Sequence, residues 1–375
     1  PDHKSAEYTE TVARCTGNDR FDAHPQANDW YETIKLNYGI DYCDWGGRSN
    51  HFNPIPDTWH KMTDILLFWA AKGIDGFRCD MAEMVPHEFW KYATEKVKAQ
   101  YPHIVFIGEV YDPNQYRTYI AAGFDYLYDK VGMYDCLRDV MCEHRSANDI
   151  TRQWQATDDI GKHVLYFLEN HDEQRIASNF FCGNMQKGIP ALIVAALFQC
   201  NPIMIYAGQE FGEKGMDGEG FSGIDGRSTI FDYWSIDAIR KGFFERSKLS
   251  AEQVQLEKEY RKILTLCNSE KAISNGKTFD LMYANETNDA FDSNKQFAFL
   301  RSSNNTTLLI VANFSKTEAH IRVNIPAHAF DYMEIKEGKK NMVDLLSGNH
   351  QSVVLQKDSS IEIVVPALNG RVYKF

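Results

Sequence analysis

The sequence lacks the short motifs that mark nucleotide-binding, zinc-binding and nucleic-acid-binding proteins. It contains no GxGxxG or GxxxxGK run, so the phosphate-binding loop of a nucleotide fold is not indicated. Its eight cysteines show no CxxC or Cys/His ligand spacing, which argues against a zinc site or a disulfide scaffold and favours free thiols. A net charge of −12 without a basic cluster makes nucleic acid an unexpected partner.

Long apolar runs and a targeting signal are also missing. The longest apolar stretch, residues 189–208, is interrupted by Gln199, Asn201 and Pro202, and this favours a buried helix followed by a buried strand over a membrane span. The chain starts at Pro1 with a polar stretch that has neither an initiator Met nor an apolar signal core. We therefore expect a segment before Pro1. The compartment depends on that segment: periplasmic or extracellular with a signal peptide, cytoplasmic without one.

Short apolar segments alternate with amphipathic helices over residues 58–276. Hydrophobic residues make up 43% of the chain, enough for a sizeable core. The apolar segments read IDGFRCD, HIVFIGE, FDYLYD, HVLYFLENHD and PIMIYAGQE. Helices are predicted near 57–73, 86–100, 115–122, 134–144, 190–199 and 250–267. This order predicts parallel βαβ units, in a β/α barrel or a doubly wound sheet.

Acidic residues at the ends of three of these apolar segments are the catalytic candidates: Asp80, Glu109 and Asp172. A β/α barrel gathers its active-site carboxylates from the C-terminal ends of its strands, so this pattern favours the barrel. Helix capping would explain any one of these acids alone. Together they suit cleavage of a glycosidic bond with retention, which needs two carboxyl groups roughly 5 to 5.5 Å apart.

Two further regions flank the barrel segment. Residues 1–57 are polar, aromatic and rich in Gly, Asn and Asp without sustained periodicity, which predicts a loop-rich subdomain. Residues 277–375 alternate apolar and polar positions between turn residues, which predicts an antiparallel β-sandwich domain. The latter carries no cluster of acids or histidines, so we assign it an accessory role.

The segments GFRCD, GEVYD and ENHDEQR closely resemble the second, third and fourth signature regions of the α-amylase family, glycoside hydrolase family 13. The resemblance implies that Asp80 is the nucleophile, Glu109 the general acid/base and Asp172 the transition-state stabiliser. It also implies a (β/α)8 TIM barrel of which strands 4 to 8 are visible. Residues 1–57 would be most of the subdomain inserted after strand 3, and the chain alone would not be fully active.

Substrate-binding residues follow from the same resemblance. Arg78 would hold the nucleophile ionised and oriented, and His171 would hydrogen-bond sugar hydroxyls. The further candidates in or near these segments are Glu83, Val110, Tyr111 and Arg175. The motif TIKLN at 33–37 is similar to the fifth signature of neopullulanases and cyclomaltodextrinases. Met84, however, stands where those enzymes usually carry a glutamate.

The expected activity is hydrolysis of α-1,4-glucosidic bonds in starch-like glucans or maltooligosaccharides through a covalent glycosyl-enzyme. The chemistry requires no cofactor, and the resemblance allows a structural calcium bound partly by a backbone carbonyl after the nucleophile. A transglycosylase or an α-glucosidase of the same family stays open, because the same acids serve all of them. A non-catalytic glucan-binding relative has no chemical need for the full set of acids.

Overall fold

The computed structural model describes residues 16–18, 26–30, 33, 35–41, 48–215, 224–230, 235–304 and 306–375. Most of the predicted inserted subdomain, Ile34 of the TIKLN motif, and the cysteines Cys15 and Cys43 lie outside these residues. The chain divides into two compact units, one running to Phe106 with Ala121–Phe124 added, the other formed by Ile107–Ile120 and Asp125–Phe375. The predicted division at 57 and 276 stays a prediction.

The first unit is built on two amphipathic helices, α1 (Asp57–Ala70) and α2 (His87–Gln100). Their apolar sides meet where Trp59 lies edge-on to Phe89, with ring centroids 5.9 Å apart. The unit also contains a ribbon of β1 (Ile40–Asp41) and β2 (Ser49–Asn50).

Strand β3 (Gly76–Cys79) lies between α1 and α2 in the chain. The Val105 N–H donates to the Asp75 carbonyl at 2.9 Å, just before β3. A side chain at Gly76 would meet the Val105 carbonyl oxygen at 2.4 Å, so only glycine allows this close backbone approach.

Parallel strands form the start of the second unit. They are the end of β4 (Val105–Gly108), β5 (Tyr126–Tyr128), β6 (Val164–Phe167) and β7 (Ile203–Met204). The helices of this part of the unit are α3 (Tyr116–Ala121), α4 (Asp135–Met141), α5 (Asp149–Ala156), α6 (Gly188–Leu197), α7 (Asp237–Phe244), α8 (Ala251–Ser269) and α9 (Lys271–Ser274). The predicted alternation of helices and parallel strands is confirmed, whereas α5, α7 and α9 were not predicted.

The longest apolar stretch divides as expected into a helix and a strand. Every residue of α6 is buried, because this helix is apolar all round, and β7 follows it. In the described part of the chain, no helix combines the length and apolar character needed to cross a membrane.

Antiparallel sheets make up the rest of the second unit. One sheet has the strand order β13, β12, β15, β10, β9, β8, and another pairs β11 with β14. Their bounds are β8 (Lys277–Asp280), β9 (Gln296–Ser303), β10 (Thr306–Asn313), β11 (Ala319–Ile325), β12 (Gly338–Asp344), β13 (His350–Leu355), β14 (Ser359–Val365) and β15 (Asn369–Lys374), with helices α10 (Met282–Asn285) and α11 (Ala327–Met333). All of these strands lie within residues 277–375, where an antiparallel β domain was predicted.

A buried arginine joins the antiparallel sheet to two helices of the same unit. The side chain of Arg301, on β9, is fully buried. It donates to the carbonyls of Leu197 (3.4 Å), Phe198 (2.5 Å), Ala272 (3.1 Å), Ile273 (2.6 Å) and Gly276 (3.3 Å). A cation at the C-terminus of α6 is favourable because the helix dipole is negative there.

Replacing Arg301 should therefore be costly. Arg301→Met removes every donor and leaves the carbonyl oxygens buried without these partners, so we expect the free energy of unfolding to fall by about 3 kcal/mol. Denaturant unfolding followed by circular dichroism measures this loss. The control Arg152→Met changes a side chain that is 83% exposed and should unfold like the parent chain. An Arg301→Met chain with the parent's midpoint would show that the contact contributes no stability.

Candidate active site

In the first unit, the end of β3 brings Arg78 and Asp80 together. Successive strand side chains point to opposite faces, so residues two apart lie on the same side. Nη1 of Arg78 contacts Oδ1 of Asp80, and the Asp80 side chain is 72% exposed. The guanidinium thus orients an accessible carboxylate, as the resemblance implies for a nucleophile.

A short 3₁₀ turn, Ala82–Met84, follows Asp80 and carries Glu83, which is half-buried. The turn is fixed because the indole N–H of Trp90 donates to the Ala82 carbonyl at 3.0 Å. Glu83 therefore lies on a defined turn immediately beyond the candidate nucleophile.

The carbonyl of Met84 tests whether the chain fits a calcium ion at this place. Nζ of Lys35 lies 3.3 Å from that oxygen and donates to it. An ammonium group at the carbonyl repels a divalent cation, so the described residues fit a lysine here rather than calcium. Among the described residues, no group of three or more His, Cys, Asp or Glu side chains could hold a metal ion.

In the second unit, Glu109 directly follows β4 and is only 3% exposed. The Tyr111 hydroxyl donates to Oε1 of Glu109 at 2.9 Å. Burial, then the negative charges of Glu109, Asp172 and Glu173, raise the pKa of Tyr111 well above its usual value. Tyr111 is thus an electrostatic neighbour of acids that follow two different strands.

The loop after β6 places Asp172 beside His171. Oδ1 of Asn170 accepts the N–H groups of Asp172 (2.9 Å) and Glu173 (2.8 Å), which fixes the loop backbone. Nε2 of His171 lies 3.1 Å from Oδ2 of Asp172, and about a third of each side chain is exposed. Both groups are therefore ordered and accessible.

Arg175 is fully buried and holds the same loop from beneath. Its guanidinium binds Oε2 of Glu169 at 2.7 Å, Oγ of Ser228 at 2.8 Å and the Ala207 carbonyl at 2.9 Å. It also lies 4.0 Å from the centroid of the Tyr206 ring. Burial raises the pKa of Glu169, and the charge of Arg175 opposes that shift.

Two of the predicted substrate-binding residues have no exposed surface. Arg175 and Val110 are each 0% exposed. The bonds of Arg175 are those of a positioning residue, and Val110 packs in the core. Their predicted substrate contacts stay predictions that this geometry does not favour.

A charged cluster beside Asp172 was not predicted. Lys130 contacts Glu173 and Asp135, each at 3.2 Å, and the Tyr134 hydroxyl donates to Oε2 of Glu173 at 3.1 Å. Lys130 and Tyr134 are the first and last residues of a π-helical turn. Such turns are frequent at functional sites. The available signals were the acidic end of FDYLYD and Glu173 within ENHDEQR.

Asp129, at the start of that turn, is a buried acid with unusual protonation. It is 1% exposed, and Tyr116 donates to its Oδ1 at 3.2 Å. Burial raises the pKa of Asp129 to about 6, although the N–H groups of Met133 and Gly132 and the Tyr116 hydroxyl oppose the shift. A side chain at Gly132 would meet Oδ1 at 2.1 Å, so the turn closes tightly on this carboxyl.

Two protein-family models together match most of the chain. The model described as "Alpha amylase, catalytic domain" matches residues 54–298, and "Alpha amylase, C-terminal all-beta domain" matches residues 288–375. The chain belongs to the α-amylase family. The predicted membership of glycoside hydrolase family 13 is thereby confirmed.

Individual members of the α-amylase family resemble the chain over most of its length. Alpha-amylase 3 of Dictyoglomus thermophilum is 23% identical over 329 residues, covering 80% of this chain and 62% of the relative. The cyclomaltodextrinase of Geobacillus thermopakistaniensis is 23% identical over 300 residues, covering 78% and 44%. The chain thus spans less than two thirds of the length of these two curated relatives.

A solved α-amylase from Anoxybacillus is similar in structure, with a TM-score of 0.65 at 18% identity over 89% of this chain and 68% of that chain. This likeness shows the fold. It confirms the predicted TIM barrel with a C-terminal antiparallel β domain.

The buried carboxyl of Asp129 should make stability depend on pH. Its pKa, near 3.8 unfolded and about 6 folded, means that its contribution is full below pH 4 and is lost as pH rises through 6. Asp129→Asn removes this loss, so the stability of the variant relative to the parent should rise by up to about 3 kcal/mol from pH 4 to 7.

Denaturant unfolding at several pH values measures that difference. Asp64→Asn, on the exposed side of α1, is the control and should follow the parent curve. A constant difference between Asp129→Asn and the parent across pH 4 to 7 would contradict the shift.

Proposed function

We propose that this chain cleaves α-1,4-glucosidic bonds in starch-like glucans or maltooligosaccharides with retention of configuration. The observation that carries the proposal is that Glu109 and Asp172, which follow different strands of an α-amylase family fold, share Tyr111 as a neighbour. A family fold alone does not imply function, but carboxyl groups gathered at strand ends supply the required chemistry. Relatives named amylase and cyclomaltodextrinase support the same substrate class.

The roles follow from what each step needs. Asp80 attacks the anomeric carbon while Glu109 gives its proton to the leaving oxygen, so the glycosidic bond breaks as a glycosyl ester forms. Water then attacks the anomeric carbon of that ester, Glu109 takes the water's proton, and the bond to Asp80 breaks so that Asp80 leaves as a carboxylate. Asp172 stabilises the positive charge that develops in both transition states.

The neighbours of these acids have supporting roles. Arg78 orients the Asp80 carboxylate through their contact. Tyr111 holds one oxygen of Glu109 and so fixes the plane of its carboxyl group. Asn170 sets the loop that presents His171 and Asp172, and Arg175 anchors that loop in the core.

Substitution of Glu109 and of Asp80 in turn separates the role of the acid/base from that of the nucleophile. Glu109→Gln should slow turnover of maltooligosaccharides by about 10²–10⁴-fold, because no proton reaches the leaving oxygen. It should largely spare formation of the covalent intermediate from an α-glycosyl fluoride, whose leaving group needs little protonation. Asp80→Asn should abolish both reactions, because no nucleophile remains.

Sugar chromatography and mass spectrometry of the glycosyl adduct measure these outcomes. The control Glu95→Gln changes an exposed acid of α2 and should leave both reactions intact. A parent protein that binds maltooligosaccharides without cleaving them would favour the non-catalytic alternative. A covalent adduct on Asp80→Asn would overturn the assignment of the nucleophile.

Glu83 tests whether the turn after the nucleophile contacts the acceptor sugar. We expect Glu83→Gln to change the ratio of transfer to hydrolysis products more than the overall rate of substrate loss, since Glu83 lies three residues beyond Asp80, on the turn that follows it. The product ratio at several maltooligosaccharide concentrations measures this. A ratio equal to that of Glu95→Gln would show that Glu83 only supports the turn.

A further inference from the structure

Two cysteines in the second unit lie in contact although their spacing in the sequence gives no sign of it. Cys142 follows α4 directly, and Cys182 lies in the loop between β6 and α6. Their Sγ atoms are 3.7 Å apart, and both residues are partly exposed. Both are free thiols. Cys267, by comparison, directs its Sγ at the carbonyls of Ala196 and Ile263.

The surroundings of the pair divide its two thiols into different chemical roles. A hydrogen bond from Cys182, and then the nearby positive charges of His144, Lys187 and Arg138, lower the pKa of Cys142 to about 7. The same hydrogen bond and burial raise the pKa of Cys182. Because the thiolate is the nucleophile, Cys142 is the reactive sulfur, and Cys182 is the thiol that keeps its proton.

Neither cysteine of the pair lies within a helix or a strand. Cys142 lies just beyond the last residue of α4, and Cys182 precedes Gly183, which has a φ of +62°. A disulfide needs an S–S distance of about 2.05 Å, so the sulfurs must approach further from their present contact. Cys142 adjoins the end of a helix and Cys182 lies in a loop, and such connecting segments are more mobile than the elements they join.

We propose that Cys142 and Cys182 form a reversible redox site that reacts with low-molecular-weight disulfides and closes to an intramolecular disulfide. With glutathione disulfide, the Cys142 thiolate attacks one sulfur, a mixed disulfide forms, and one glutathione thiolate leaves and takes up a proton. Cys182 then loses its proton and attacks Sγ of Cys142. The mixed disulfide breaks and the second glutathione thiolate leaves, so the cysteine pair is oxidised and glutathione disulfide is reduced to two thiols.

The new bond would link a segment before β6 to the segment after β6 that carries Asp172. The segment 130–142 ends at Cys142, and the segment 169–182 ends at Cys182. The same segments already meet where Lys130 and Tyr134 contact Glu173. Oxidation thus links the two segments at a second point. The reaction of the cysteine pair does not require glucan chemistry.

Thiol counting on the native full chain tests the site. After incubation with glutathione disulfide and removal of the reagent, the denatured protein should show two fewer thiols than the untreated protein. Peptide mapping should find the cross-link between Cys142 and Cys182, and dithiothreitol should restore the full count. The control Cys267→Ser should likewise lose two thiols.

Single substitutions separate the role of the attacking cysteine from that of the cysteine that closes the disulfide. Cys182→Ser should stop at a glutathione adduct on Cys142, whereas Cys142→Ser should form neither adduct nor cross-link at these positions. A parent chain that keeps all its thiols, or a cross-link that joins other cysteines, would overturn the proposal. So would a Cys182→Ser chain that carries no adduct on Cys142. None of these measurements depends on glucan cleavage, so their outcome is independent of the proposed activity.

Discussion

Buried guanidinium groups organise the second unit because each of their donors must find an acceptor once water is excluded. Arg175 meets this demand with Glu169, Ser228 and the Ala207 carbonyl, and so fastens the loop of Asp172 to the strand that follows it. Arg301 meets it with main-chain carbonyls and with Sγ of Cys200, and so fastens a sheet to helix ends. Since an unpaired buried charge costs several kcal/mol, both places tolerate little displacement.

The acids proposed for chemistry differ in their surroundings more than in their position on the fold. Asp80 is largely exposed beside an arginine, whereas Glu109 is buried beneath a tyrosine hydroxyl. Asp172 is intermediate in exposure. It shares its loop with Glu173, which forms an ion pair with Lys130. Equivalent strand ends thus provide three different electrostatic settings, as different roles for carboxyl groups require.

The sequence predicts those features that depend on periodicity. The alternation of apolar segments and helices gave the parallel strands, and the acids at their ends gave Asp80, Glu109 and Asp172. Burial of one particular side chain is not periodic, so Arg175 looked like a substrate ligand because it lies within ENHDEQR. The π turn at Lys130–Tyr134 has no pattern of its own, and its cluster with Glu173 depends on a contact between distant segments.

The contacts of Arg301 also set how freely the residues around it can drift during evolution. A main-chain carbonyl is present whatever the side chain, so Leu197, Phe198, Ala272 and Ile273 can each be exchanged without loss of an acceptor. Gly276 differs, because a side chain there would meet the Ala272 carbonyl oxygen at 2.0 Å. Homologues that keep these contacts should therefore vary at the residues whose carbonyls accept the bonds, while they retain Arg301 and Gly276.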